Sequence, residues 1–424
     1  MKTIYVILFT MILLPGKAQK LTLQQYRKKV LEYNQDIKQS KEAVNAALYS
    51  MKSVKTGFFP KVDLSGNYSY QFENVAFMPG TDLKHDNYSA EAGIVQNIYA
   101  GRAVSKQYEM AKTEQAIARL SEDYSADNIV YAADVNYWNV SANSELYDVS
   151  LQFVDIVKEL YEIVNKRFEE GAISRTDVLM IQSRLKEAEL QLNTSETNYK
   201  TALQSFRIMM GAGVESGIFP SDSIQMPMPL LLQQGLENAL SNRPDYQIAL
   251  MDVDVAKLQT RLVKAKYLPR LSVGVKEKWG TTLINIDGDK RFSTIAFANL
   301  SVPVFYWGER RRNVQVSRAQ EQIKELERSK VHDQVNQELN NAWVNLTEAL
   351  KKIQIINSTL DIARDNLKLN TFSYNEGKLP VIDVLSAQVT WLQAYTNVVS
   401  VNYQYKVALA EYIRAQGGDS PVSE

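Results

Sequence analysis

The chain has no cysteine, and its only two histidines, His85 and His332, lie far apart. Disulfides and thiolate metal sites are therefore excluded, and neither a zinc-type ligand set nor a histidine-centred catalytic triad has the residues it needs. There is no surplus of either charge, since 48 acidic side chains match 48 basic ones. Nucleic acid is thus not an expected partner. Long apolar runs are missing as well. The run from Ile4 to Leu14 spans 11 residues, well short of the ~18 that a helix needs to cross a bilayer. With Lys2 before it and Pro15, Gly16 and Ala18 after it, it reads as a secretory signal peptide over residues 1–18, cleaved after Ala18. An exported protein with no transmembrane helix is the expectation.

Two stretches that hint at chemistry are set aside. Gly211-Ala212-Gly213 follows a helical stretch instead of a strand, and its spacing is wrong for a dinucleotide loop. Met226-Pro227-Met228 reads as loop filler and not as a soft-metal site. No catalytic residue, metal ligand or cofactor is assigned, and the chain does not read as an enzyme.

What the sequence does contain is repetition. Leu23-Gln24-Gln25 returns as Leu232-Gln233-Gln234, and Phe59-Pro60-Lys61 as Leu268-Pro269-Arg270, both offset by 209 residues. Ile98-Tyr99-Ala100-Gly101 matches Phe305-Tyr306-Trp307-Gly308 at 207, and Glu170-Gly171 with Asp177-Val178-Leu179 matches Glu376-Gly377 with Asp383-Val384-Leu385 at 206. Residues 19–210 and 231–416 thus form two copies of one unit, with an equatorial linker at 211–230 and a tail at 417–424.

Each copy reads as helix, strand, strand, long helix, shorter helix. The first helical segments, Leu23 to Gly57 and Leu232 to Lys266, stop just before Pro60 and Pro269. In the strand expected over 61–73, Val62, Leu64, Tyr68, Tyr70 and Phe72 alternate with polar residues, giving one apolar, lipid-compatible face. Further strands are expected at 87–98, 269–280 and 292–304. Long helices follow over 102–170 and 309–376, far beyond the ~8 to 20 residues of ordinary globular helices. They carry coiled-coil spacing at Val149, Phe153, Ile156, Leu160, Ile163 and at Leu339, Trp343, Leu346, Leu350, Ile353. The shorter helices, Asp177 to Met209 and Asp383 to Ala415, continue it with Leu385, Val389, Leu392, Thr396, Val399 and Tyr403. A first and a shorter helix end to end match one long helix, roughly 100 Å at ~1.5 Å per residue.

Four strands cannot close a membrane barrel, because small barrels start at about eight strands and open edges in hydrocarbon cost several kcal/mol per unpaired group. If the strands enter a membrane, the chain must oligomerise. Three copies would supply a twelve-stranded barrel continued by twelve helical rods. Trp279 and Trp307, at strand ends, are candidates for an interfacial aromatic girdle together with Tyr68 and Tyr70. Arg310, Arg311 and Arg312 read either as a basic collar below the barrel or as a solvated first turn. The competing architecture is a periplasmic coiled-coil adaptor or scaffold, with one helical hairpin and a compact β domain.

Several motifs resemble the TolC outer-membrane factor family: Asn242-Arg243-Pro244-Asp245, Tyr267-Leu268-Pro269 before a strand, Pro303-Val304-Phe305 after one, and Gly377 followed by Val381-Ile382-Asp383-Val384-Leu385-Ser386-Ala387-Gln388. The resemblance covers nearly the whole chain after the leader. It implies a homotrimer in the outer membrane of a Gram-negative bacterium, with a barrel in the lipid and a helical coiled-coil tunnel in the periplasm. Such a channel is the exit duct of a tripartite efflux pump or type I secretion system, docking a periplasmic adaptor and an inner-membrane transporter of the RND or ABC type. The resemblance also implies a gate at the periplasmic tip, where each copy turns through Gly171 and Gly377. There Asp383 points into the tunnel as a selectivity ring, with Ser386 where the family has a second acid. Tyr374 pairs with Asp177 across neighbouring hairpins, while Leu379 replaces the arginine that reinforces the link.

Overall fold

The structure, a computed structural model, describes residues 19–73, 76–78, 81–82, 84–225, 233, 235–281 and 290–418. The leader at 1–18, Met226-Pro227-Met228 and the tail beyond 418 lie outside the described residues. In chain order the elements are β1 (Gln19–Leu21), α1 (Leu23–Tyr33), α2 (Gln35–Lys55), β2 (Lys61–Tyr70), β3 (Ala76–Met78), β4 (Thr81–Asp82), β5 (Asp86–Ala100), α3 (Ala103–Glu169) and α4 (Arg175–Met209). They continue with β6 (Ile218–Pro220), α5 (Leu236–Asn242), α6 (Pro244–Ala265), β7 (Arg270–Gly280), β8 (Arg291–Ser301), α7 (Glu309–Asn375) and α8 (Val381–Ala415). No helix among the described residues is long and apolar enough to cross a membrane.

The first helical segment of each copy is broken, contrary to the single helices expected from Leu23 and Leu232. Asn34 leaves the helical region at ψ 132°, and its Oδ1 accepts from the amides of Asp36 (2.7 Å) and Ile37 (3.2 Å). One side chain thus ends α1 and starts α2, the usual role of asparagine at an N-cap. In the second copy Arg243 stands before Pro244, and the proline ring forces it out of the helical region to ψ 118°. Pro244 then opens α6, where its missing N–H costs nothing.

Two compact units result. The first takes in the chain up to Gln39, Asp123–Pro244 and the chain from Asp333; the second joins Ser40–Glu122 to Asp245–His332.

The first unit is helical. One of its two cores gathers Val149, Phe153, Val157, Leu160 and Val164 of α3 with residues of α4, α7 and α8. This corrects the expected seam, since Val157 and Val164 are buried whereas Ile156 and Ile163 are only partly so. In α7 the buried stripe is Val335, Leu339, Ala342, Leu346, Ala349, while Trp343 and Leu350 are half-buried. On α8, Leu385, Leu392 and Val399 are buried as expected, Thr396 and Tyr403 half-buried, and Val389 is exposed. On α7 the spacing is right but the register shifts toward alanine, at Ala342 and Ala349. Small residues let helix axes approach, and a search for large apolar groups passes over them.

The second core surrounds Tyr26, Tyr137 and Phe206, with Tyr26 stacked on Phe206 at 4.2 Å between ring centres. Tyr137 donates to the Leu21 carbonyl (2.9 Å) and accepts from the amides of Ser221 and Asp222. These bonds fasten the parallel pair β1–β6 to the helices. The linker expected at 211–230 therefore contains a strand, too short at three residues to show a period.

The second unit holds an antiparallel sheet in the order β2-β5-β7-β8. The short antiparallel pair β3–β4 lies between β2 and β5 in sequence. The strand expected over 61–73 ends at Tyr70, although the Gln71 amide still reaches the His85 carbonyl at 2.9 Å.

Candidate functional site: an apolar sheet face and two hairpin turns

Register decides which side chains share a face of the sheet, because successive residues point to opposite sides. Val62 lies opposite Ile94, Leu64 opposite Ala92, and Tyr68 opposite Tyr88. Ile94 in turn faces Val275 and Ala90 faces Trp279. Finally Leu271 faces Leu300, Val273 faces Ala298, and Trp279 faces Phe292. One largely apolar face thus reaches all four strands, interrupted at mid-sheet by Glu277, whose carboxylate accepts the Thr294 hydroxyl. On the edge strands that face is exposed: Val62 is 73% exposed, Leu64 81% and Leu300 64%. The other face is polar, with Lys61, Asp63, Ser65 and Asn67 on β2 and a 2.6 Å ion pair between Lys276 and Glu91.

Four of the five side chains expected on this face, Val62, Leu64, Tyr68 and Tyr70, lie on β2 with that register. Phe72 lies beyond the strand end, its ring 5.1 Å from that of Tyr70. The two tryptophans fall at opposite ends of the sheet. Trp279 sits near the end of β7 within 6.4 Å of Phe292, and Trp307 lies between β8 and α7.

The hairpin turns of the first unit repeat each other bond for bond. Gly171 (φ 75°) donates to Phe168 and Ala172 to Arg167; Gly377 (φ 72°) donates to Tyr374 and Lys378 to Ser373. A left-handed residue is what this helix ending requires, so glycine stands there for backbone reasons alone.

After the turns the copies diverge. Ser174 caps α4, and its hydroxyl donates to Asp177 Oδ2 at 2.9 Å while that carboxylate also accepts the Ser174 amide. In the second copy the equivalent position is Pro380, which offers neither group. Asp383 is left half-buried in the first turn of α8; its amide donates to the Pro380 carbonyl (3.2 Å), but its carboxylate has no hydrogen-bond or ion-pair partner among the described residues. Ser386 is exposed, and its hydroxyl donates to its own helix at Ile382 (2.9 Å).

Tyr374 is buried, and within the single chain its hydroxyl meets no hydrogen-bond partner, Asp177 included. Burial pushes the phenol above its ordinary range; the Arg167 guanidinium pulls it down and the Asp177 charge pushes it further up. Arg167 was not foreseen. Its guanidinium sits 4.6 Å from the Tyr374 ring centre and donates to the carbonyls of Tyr374 (3.0 Å) and Asn375 (2.7 Å). The sequence signal for it was a basic residue in the last turn of α3, which usually serves its own helix end.

The outer membrane efflux protein family matches over residues 26–212 and 235–418. Nodulation protein T of Rhizobium leguminosarum bv. trifolii is 21% identical over 86% of this chain and 79% of its own length. Outer membrane efflux protein BepC of Brucella suis is also 21% identical, over 92% of this chain and 84% of its own. Among solved structures, the Campylobacter jejuni CmeC outer membrane channel superposes with a TM-score of 0.81 at 18% identity, covering 95% of this chain and 87% of that one. An exposed apolar sheet, paired helical hairpins and a family match over both copies agree: the chain belongs to the outer membrane efflux protein family, the TolC-like channels of the Gram-negative outer membrane.

Proposed function

We propose that three copies of this chain assemble into one channel, the exit duct of a tripartite efflux pump or type I secretion system. The sheet carries the proposal. It has a largely apolar face that reaches all four strands and two edge strands, β2 and β8, which pair on one side only among the described residues. Joining β8 of one copy to β2 of the next would remove every edge. Three copies give twelve strands, above the ~eight at which small membrane barrels begin. The helical hairpins would form the periplasmic tunnel, docked to an adaptor protein and an inner-membrane RND or ABC transporter. The chain acts as a passive conduit and not as a catalyst. Its gate lies at the hairpin turns, with Asp383 as the carboxylate ring, Ser386 one turn on, and Arg167 closing over Tyr374 to hold the hairpins together.

The absence of cysteine gives a clean test. Cysteines introduced singly on β2 and β8 and combined in one chain should yield disulfide-linked species up to a trimer. The protein should leave membranes in detergent and form conducting pores in planar bilayers. Release by salt alone, or a monomer in mild detergent, would overturn the proposal in favour of a periplasmic scaffold.

A further inference from the structure

We propose that the segment joining β8 to α7 is a binding surface for anionic phospholipid headgroups. The inference rests on the channel reading above, which puts the helix side of the sheet at the periplasmic leaflet.

The segment starts where the apolar sheet face ends. Past Leu300, Val304 is 87% exposed, Phe305 68% and Trp307 85%, and the Phe305 and Trp307 rings meet edge to face at 4.9 Å. Trp307 has a φ of 47°, a backbone region that side-chain-bearing residues avoid. No core packing offsets that strain, because the indole is almost fully exposed. Indoles so placed are what membrane proteins set at the headgroup level.

Three arginines follow at once. Arg310, Arg311 and Arg312 are exposed in the first turn of α7, and none has a carboxylate partner among the described residues. The one acid of that turn, Glu309, is already engaged by the Tyr267 hydroxyl (2.8 Å) and by Asn313 (3.3 Å). Cations at a helix N-terminus oppose the helix dipole, so the arginines do nothing for α7 itself. Their planar forks match phosphate oxygens. The first copy has no such trio, only Arg102 followed by Ala103-Val104.

Distances fit a leaflet boundary. Between the Trp279–Phe292 pair and the end of β8 at Ser301, strands rising ~3.3 Å per residue at a tilt of about 40° span roughly 23 Å, close to the ~25 Å apolar band of a membrane barrel. The arginines stand in the first turn of α7, the next element past that boundary, where a phosphate would sit.

The test mixes the purified protein in mild detergent with phosphatidylglycerol and phosphatidylcholine of identical acyl chains and weighs the retained lipid by native mass spectrometry. The parent should retain phosphatidylglycerol over phosphatidylcholine by about tenfold, given what a basic residue gains near an anionic surface. The triple variant Arg310→Gln, Arg311→Gln, Arg312→Gln should bring the ratio near one, and the corresponding triple lysine variant should keep much of it. Trp307→Ala should lower retention of both lipids. Equal retention by the parent, an unchanged ratio in the glutamine variant, or displacement of the lipid by excess inorganic phosphate would overturn the inference. A parent released from membranes by salt alone would bring down the channel reading with it; one that inserts yet does not discriminate brings down this inference alone.

Discussion

Arg167, in the last turn of α3, closes over Tyr374, near the end of α7, and takes up the carbonyls of Tyr374 and Asn375. The Tyr374 carbonyl also accepts the Gly377 amide inside the turn, and that of Asn375 stands at the helix end, where carbonyls lack intrahelical donors. One hairpin therefore caps the other. Hydrogen bonds from a charged group contribute about 1.5–3 kcal/mol when buried and less at a partly exposed site such as this. Arg167→Gln should loosen the turns and raise the conductance of the purified channel in planar bilayers severalfold. Tyr374→Phe alone should change little, because it removes a hydroxyl that has no partner in the chain. Parental conductance in Arg167→Gln would mean that the hairpins are held elsewhere.

Asp177 and Asp383 occupy equivalent positions but are not interchangeable. The Asp177 carboxylate is spent on Ser174, whereas Pro380 leaves that of Asp383 uncommitted. Asp177→Ala should therefore cost about 1 kcal/mol of helix-end stability and leave ion selectivity nearly untouched. Asp383→Ala should do the reverse, lowering the cation-to-anion permeability ratio with little change in melting temperature. Reversal potentials across a salt gradient distinguish the two. Equal selectivity losses in both variants would remove the distinction drawn here.

Alternation at Val62 to Tyr70 and the glycine-to-Asp-Val-Leu repeat were legible because each follows from a short-range rule, the two-residue pleat or the left-handed helix ending. The break at Arg243 is signalled by Pro244 through a short-range rule too, whereas the break at Asn34 was not legible. Asparagine inside an apolar-periodic stretch looks like an ordinary exposed residue until its side chain is seen to cap. The helical seams were found in spacing and missed in register, since Ala342 and Ala349 are seam residues only by virtue of what faces them. Arg167 could not be read at all. Its partners lie 207 and 208 residues away, and no local pattern encodes a contact between two helix ends.

Depth along the strand should grade the effect of charge on the apolar face. Leu64 lies in mid-strand opposite Ala92, whereas Tyr70 closes β2 opposite Asp86. A basic residue on the lipid face of a barrel costs roughly 2–4 kcal/mol at the midplane but only about 0–1 near an interface. Leu64→Arg should nearly abolish assembled protein in the outer membrane, and Tyr70→Arg should reduce it slightly. Equal yields for the two would show that β2 does not cross the bilayer in this register.

Lys406 of α8 supplies a pH dependence within the first unit. Its side chain is buried, its ammonium lies 4.5 Å from the Trp138 ring centre, and burial pushes its pKa down to about 8 from 10.5, with the Asp222 charge opposing the shift. Between those two values the unfolded chain binds more protons at this site than the folded one, so this residue makes stability rise with pH through that window. Below pH 8 both states hold the proton and the folded state bears the cost of a buried cation. Lys406→Met keeps a flexible stem of similar length over Trp138 and removes that cost. Asp222 stays satisfied by the Leu23 amide (3.1 Å) and the Ser221 hydroxyl (2.9 Å). The variant should be more stable than the parent by about 1–2 kcal/mol at pH 7, allowing for partial screening. Thermal melts in detergent at pH 7 and pH 10 give the check: the advantage should shrink at the higher pH, and an equal gain at both would show that packing over Trp138, and not the buried charge, sets the difference.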